Sequence, residues 1–206
     1  TAVVDVEKRK RIAANHTATH LLHEALREVL GTHVEQKGSF VSDEALRFDF
    51  SHYQKVSAEE LKTVELIVNK KIRNNASLQE YRELPVDEAN KMGAMALFGE
   101  KYGEKVRVIQ FGTSVELCGG SHVQSTGEIG MIKLVHESSV AAGIRRIEAY
   151  TADKAEAYIT AQLDVLTEVK QLFNNPTNVV GVIIKFQQDT LQLKKQLDGY
   201  VQEYVK

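Results

Sequence analysis

Near the end of the chain one pattern leaves little choice of fold. Val179, Ile183, Phe186, Thr190, Leu193, Leu197, Tyr200 and Tyr204 follow one another at spacings of 4, 3, 4, 3, 4, 3 and 4. Only an α-helix brings positions three and four apart onto one stripe, so this is the a/d seam of a coiled coil. Residues 155–173 are amphipathic with the same period, and Asn174, Asn175 and Pro176 separate the two segments. A link this short predicts an antiparallel helical hairpin. Such a hairpin reads first as a packing appendage. The alternative is a spacer, or an arm through which two copies form a homodimer.

The texture before residue 152 is different, which divides the chain into 1–151 and a helical appendage, 152–206. A first helix is expected from Val6 to Leu30, stopping at Gly31. Ala18, Leu22, Ala25 and Val29 share one stripe of it, and His16, His20, His23 and Arg27 share the opposite one. HVEQKGSFV and ALRFDF alternate and read as strands. Ser57 and Glu60 form a capping box that opens a helix to about Asn74. SLQEYREL, KVRVIQFG, MIKLVHESSV and IRRIEAYT read as strands, and Pro85 starts a short helix. GAMALFGEKYG is bounded by glycines and ambiguous. Helices and strands do not alternate as βαβ units, so the fold class is α+β: a mainly antiparallel sheet with packed helices, followed by the hairpin.

Composition excludes several classes. With 43% hydrophobic and 26% charged residues, the 206-residue chain matches globular averages rather than disordered ones. No run of 18 apolar residues suggests a membrane span, and no apolar stretch near the start suggests a secretory signal. A single cysteine rules out an internal disulfide and makes a cytoplasmic setting the default. A formal charge of −2 does not point to nucleic acid, which would need a local basic face. Lys8, Arg9, Lys10 and Arg11 offer one such run, and Lys70, Lys71 and Arg73 another. The Thr start and the helical sequence running to Lys206 suggest a piece of a longer chain.

The chemistry concentrates in four residues. His16 and His20 are one turn apart, so a helix carries their imidazoles on one face, about 6 Å apart along the axis. Cys118 and His122 form a second pair in the glycine-rich stretch VELCGGSHVQSTGEIG, where Gly119 and Gly120 let the backbone bend. One thiolate with three imidazoles is a normal tetrahedral Zn2+ set. Other readings stay open: a solvated helix face, a cysteine that only packs, or a nucleophilic Cys118 with a histidine base. A metal-bound thiolate would exclude the last. His23 is expected to line the site, whereas His33, His52 and His136 have no partner spacing. No glutamate between the two helical histidines suggests a zinc protease, and no phosphate-binding or dinucleotide-binding glycine motif is present.

HTATHLLHEAL, VEQKGSFV, LRFDFSH, GAMALFGEKYG, VELCGGSH and AAGIRRIEA resemble, in order, the editing domain of the alanyl-tRNA synthetase family. The helical tail is similar to that family's continuation. The resemblance implies a zinc-dependent deacylase, an ester hydrolase within an alanine–tRNA ligase. Its substrate would be the acceptor end of tRNA(Ala) wrongly carrying serine or glycine. It places the metal on His16, His20, Cys118 and His122, and pocket residues on Thr19, Gln36, Ser39 and Arg145. Arg145 and Arg146 are strand neighbours, so at most one should face the site. Ser121 stands where relatives often carry Thr, which keeps the hydroxyl. Class II aminoacylation motifs are absent, so this chain alone is not expected to charge tRNA. The alternatives are a free-standing editing protein of the same chemistry and a non-catalytic RNA-binding module with a structural zinc.

Overall fold

In the computed structural model, residues 3–95 and 103–204 are described. Part of GAMALFGEKYG lies outside them. The chain divides into two units, Thr1–Ala157 and Tyr158–Lys206.

The first unit is built around helix α1, Val6–Leu30. Asp5 caps it by accepting the Lys8 N–H at 2.9 Å, and Gly31 ends it at a φ of 112°. From Ala13 to Leu26 nearly every residue of α1 is buried, so the helix is covered on both stripes. Its apolar stripe meets a four-stranded antiparallel sheet of β1 (Gln36–Val41), β2 (Leu46–Ser51), β6 (Ile132–Ala141) and β7 (Ile144–Thr151). The strand order is β1-β2-β7-β6. Leu46, Phe48 and Phe50 alternate inward along β2, and Ile147 and Ala149 do so along β7. Burying each such large side chain contributes about 1.5–3 kcal/mol. Gly143 closes the β6–β7 turn at a φ of 70°, a region that favours glycine.

Helix α2 (Ala58–Arg73) begins at the expected capping box, with both reciprocal bonds made between Ser57 and Glu60. Val64, Val68 and Ile72 face the same core. Asn69 ties α2 to the start of β6, accepting the Ile132 N–H and donating to its carbonyl, each at 3.0 Å.

The histidine stripe of α1 is covered from the other side. A second antiparallel sheet has the order β3-β4-β5, with β3 at Gln79–Pro85, β4 at Lys105–Phe111 and β5 at Ser114–Leu117. The short helix α3, Val86–Lys91, follows Pro85 as expected. A smaller core of Val106, Val108, Val115, Leu117 and Ala89 lies under this sheet. Strand β5 packs on α1 and delivers the glycine-rich loop to it.

Helix α4 (Ala152–Leu172) starts in the first unit, where Ala155 is buried. Helix α5 spans Val179–Tyr204. Between them Asn174 and Asn175 adopt left-handed φ values of 61° and 53°, and Phe173 meets Phe186 edge to face at 6.0 Å. No residue of α5 is buried. From Phe186 to Tyr204 every seam position stands exposed. The architecture is α+β with antiparallel sheets, ending in helices, as the sequence reading expected. Among the described residues, no helix is long and apolar enough to cross a membrane.

Candidate metal centre

His16 and His20 project from one face of α1 toward the loop that leaves β5. The nitrogens of His16, His20 and His122 and the sulfur of Cys118 all lie within 4.8 Å of one another, a group that could hold a metal ion. Cys118 Sγ is 3.4 Å from His16 Nε2 and 3.3 Å from His122 Nε2. The three rings are close-packed, with centroid separations of 5.2, 4.3 and 4.5 Å.

The loop is held in place rather than left to bend. Arg107 on β4 donates through Nη1 to the Cys118 carbonyl at 2.8 Å and to the Gly120 carbonyl at 2.7 Å. Its own carbonyl accepts the Cys118 N–H at 3.1 Å. Its Nε donates to Glu80 at 2.6 Å. Arg82, and then Arg107, hold the Glu80 carboxyl down at about 2. Gly120 donates its N–H to Cys118 Sγ at 3.4 Å. Glycine at 120 leaves room for the His16 ring: a Cβ there would sit 2.0 Å from His16 Cε1.

The electrostatics favour neutral imidazoles, the form that binds metal. Burial lowers the pKa of His16, assisted by the nearby Arg107 charge against a raising hydrogen bond from the Ser121 backbone. Burial, then the neighbouring His122 and His16, pushes His20 well below its ordinary value. Burial, then His16 and Arg107, takes His122 down to about 3. His122 Nδ1 is 3.0 Å from the hydroxyl of Thr17, which also accepts the Val123 N–H at 3.3 Å.

Behind His20 lies Glu116, a residue the sequence reading did not single out. Its carboxylate is 3.0 Å from His23 Nδ1 and 3.3 Å from His20 Nε2. Burial pushes its pKa up, against the pull of His23.

One cavity borders the centre, and a second is walled by His23 and none of the four candidate ligands. The first, of about 930 Å³, is walled by Ser121 and His122 together with Arg9, Lys10, Arg82 and Arg107. The other, of about 360 Å³, is walled by His23, Arg27, Glu35, Gln36, Gly93 and Met95 among others.

The remaining residues singled out by resemblance are more scattered. Gln36 and Ser39 share β1, where Gln36 Nε2 donates to Ser39 Oγ at 3.1 Å. Thr19 is buried on α1, and its hydroxyl donates to the Asn15 carbonyl at 2.8 Å. Arg145 pairs through Nε with Glu137 at 2.6 Å, while its neighbour Arg146 pairs twice with Asp49, at 2.7 Å each. Of Thr19, Gln36, Ser39 and Arg145, only Gln36 lies on the wall of either cavity.

Two further features escaped the sequence reading. His33 and His52 meet, with His33 Nε2 2.9 Å from His52 Nδ1. Arg107 sits in an ordinary alternating strand, and nothing in its spacing marked it as the residue that grips the loop.

Comparison with known proteins fits this arrangement. Residues 106–148 match the family model described as the threonyl and alanyl tRNA synthetase second additional domain. The chain is 57% identical over 202 residues to an alanine–tRNA ligase of Bacteroides thetaiotaomicron, covering 98% of this chain and 23% of that protein. It is 55% identical over 203 residues to that of Parabacteroides distasonis, with the same coverage. For Christiangramia forsetii the identity is 50% over 205 residues, 100% of this chain and 24% of the relative. The chain thus spans about a quarter of the length of these relatives. Along practically its whole length it is similar to one segment of alanine–tRNA ligases, the segment that carries the second additional domain they share with threonyl enzymes.

Proposed function

We propose that this chain, as part of an alanine–tRNA ligase, edits mischarged tRNA. It would hydrolyse the ester that joins serine or glycine to the terminal ribose of tRNA(Ala). The observation that carries this reading is the His16, His20, Cys118 and His122 cluster beside a large basic-walled cavity, in a chain similar to alanine–tRNA ligases. Such a hydrolase answers a physical need. A pocket shaped for alanine cannot strongly reject an isostere with an added hydroxyl, nor the smaller glycine, so a second site must remove the error.

The donor set suits Zn2+. A tetrahedral zinc site has ligand–ligand separations of roughly 3.3–3.8 Å; two of the three sulfur–nitrogen distances here are 3.4 and 3.3 Å, and all four donor atoms lie within 4.8 Å of one another. Three imidazoles kept neutral by burial and one thiol need no rearrangement of charge beyond loss of the thiol proton. Zinc bound there supplies a Lewis acid for the ester or for the attacking water. The chain's own residues do the rest. Arg9 and Lys10 lend the larger cavity positive charge for the phosphates of an acceptor end, on a wall that also carries Glu128 and the Glu80 carboxylate paired with Arg82 and Arg107. Gln36, on the wall of the smaller cavity, offers its amide to a seryl side chain or ribose, while the buried Thr19 acts from within α1, where its hydroxyl is bonded to the Asn15 carbonyl. Ser39 positions the Gln36 amide. Arg145 would serve phosphate or the developing oxyanion on release from Glu137, with which it pairs here. In this reading residues 1–151 form the editing domain and 152–206 an appendage whose exposed seam suits a homodimer. The setting is cytoplasmic.

The test is deacylation of seryl-tRNA(Ala) beside alanyl-tRNA(Ala) over a range of protein concentration. The expected result is fast loss of serine with alanine spared, and joint loss of zinc and hydrolysis in Cys118→Ala. Full activity in a zinc-free Cys118→Ala protein would overturn the metal assignment. No activity at any concentration would reject the deacylase reading of this chain.

A further inference from the structure

Glu116 is a buried carboxylate with unusual company. Its side chain is 4% exposed. It lies at the centre of β5, whose four residues are all buried. Two imidazoles from α1 converge on it: His23 through Nδ1, 3.0 Å from Oε1, and His20 through Nε2 at 3.3 Å. Among the described residues, no lysine or arginine forms an ion pair with it. A carboxylate withdrawn from water and given no permanent cation is a costly arrangement, and one that packing alone does not require.

We infer that Glu116 is a positioning residue of the metal centre, supplying through His20 and His23 the second negative charge that a buried dication needs. The inference rests on the metal reading above. One thiolate and three neutral imidazoles leave a dication with one uncompensated positive charge. The side chain of Cys118 cannot supply more, and Arg107, at the opposite edge of the loop, adds charge of the wrong sign. Glu116 stands behind the one ligand, His20, that is buried most completely. Its carboxylate brings the buried charge to zero. It also fixes the rings of His20 and His23, which sit one turn apart on α1. Carboxylates placed behind metal-binding histidines raise ligand basicity and restrain ring orientation, and their removal weakens metal binding about 10- to 100-fold.

The experiment compares zinc affinity in the wild type, Glu116→Gln and Glu116→Asp, by competition with a chromogenic chelator, and thermal unfolding of each protein with the metal stripped. Gln keeps the size and a hydrogen-bonding oxygen and removes only the charge. The expected result is zinc binding about 10- to 100-fold weaker in Glu116→Gln, partly restored in Glu116→Asp. The metal-free Glu116→Gln protein should unfold at the wild-type temperature or above it. Wild-type zinc affinity in Glu116→Gln would overturn the inference while leaving the metal reading standing. A metal-free Glu116→Gln protein that unfolds well below the metal-free wild type would assign Glu116 a purely structural role and overturn it too. A wild type that binds no zinc would overturn both.

Discussion

A methyl group on residue 120 would strike a candidate ligand. The Cβ of Gly120→Ala would lie 2.0 Å from His16 Cε1, 2.4 Å from Nδ1 and 3.3 Å from Nε2. Something must yield, and the loop is the stiffer partner, because Arg107 grips the Gly120 carbonyl at 2.7 Å and the Cys118 carbonyl at 2.8 Å. His16 is only half-buried and can escape by rotating about its side-chain bonds. The fold should therefore lose little, near the lower end of the roughly 1–3 kcal/mol typical of overpacking. The metal centre should lose much more. A four-ligand zinc site is worth roughly 10–16 kcal/mol, so one ligand in four is worth roughly 2.5–4 kcal/mol, about 60- to 700-fold in affinity. The assay is chelator competition for zinc, run beside thermal unfolding in excess chelator. Wild-type zinc affinity in Gly120→Ala would refute the reasoning, since it would mean that His16 does not reach the metal. Equal losses in the metal-free and metal-loaded proteins would refute it as well, by placing the damage in the fold.

Two further outcomes follow from the same structure. Burial lowers the pKa of His16, His20 and His122, the last to about 3, so these rings stay neutral in the folded protein while the unfolded chain takes up protons below about 6.5. The metal-free protein should hold its full stability above that pH and lose part of it as pH falls from about 6.5 toward 3, by about 1.4 kcal/mol per pH unit for His122, with His16 and His20 adding in the same direction; a flat stability profile across this window, read by denaturant titration, would contradict the buried neutral rings. Phe48→Ala should cost about 3–5 kcal/mol in the same titration, because Phe48 is fully buried between Phe50 and His23. A loss below 1 kcal/mol would show that the β2 face is not packed as described.

Local signals in the sequence carried most of the fold. The Ser57–Glu60 box, Gly31 after the first helix and Pro85 before α3 each act on their own neighbours, so each could be read without knowing the rest of the molecule. The four residues of the candidate metal centre were legible for a similar reason, as two pairs at one-turn or short-loop spacing. Contacts that depend on how distant elements meet were not. His33 and His52 join only because β1 and β2 fold back on each other. Glu116 lay in the stretch VELCGGSHVQSTGEIG, read as glycine-rich and without strand period, yet it falls in β5, every residue of which is buried. The commitments of Arg145 to Glu137 and Arg146 to Asp49 follow from strand register between β7 and its neighbours, which a single chain does not print. Resemblance supplied Thr19, Ser39 and Arg145, but the larger cavity is walled by other residues.

The connectivity of the four-stranded sheet bears on how the chain reaches this state. The β1–β2 and β6–β7 hairpins are local and can close early, but β2 must then find β7 across almost a hundred residues, from Phe48 to Ile147. His16 and Cys118 are separated by a comparable length of chain. Long-range closures of this kind are slow, because the entropy of the intervening loop is lost before any contact offsets it. An intermediate that has formed only its hairpins therefore holds the helical histidine pair or the glycine-loop pair, never both in register. Metal uptake during refolding should accordingly lag behind secondary structure and report the last step of assembly, with the ion arriving as a clasp on a finished topology rather than as a nucleus for it.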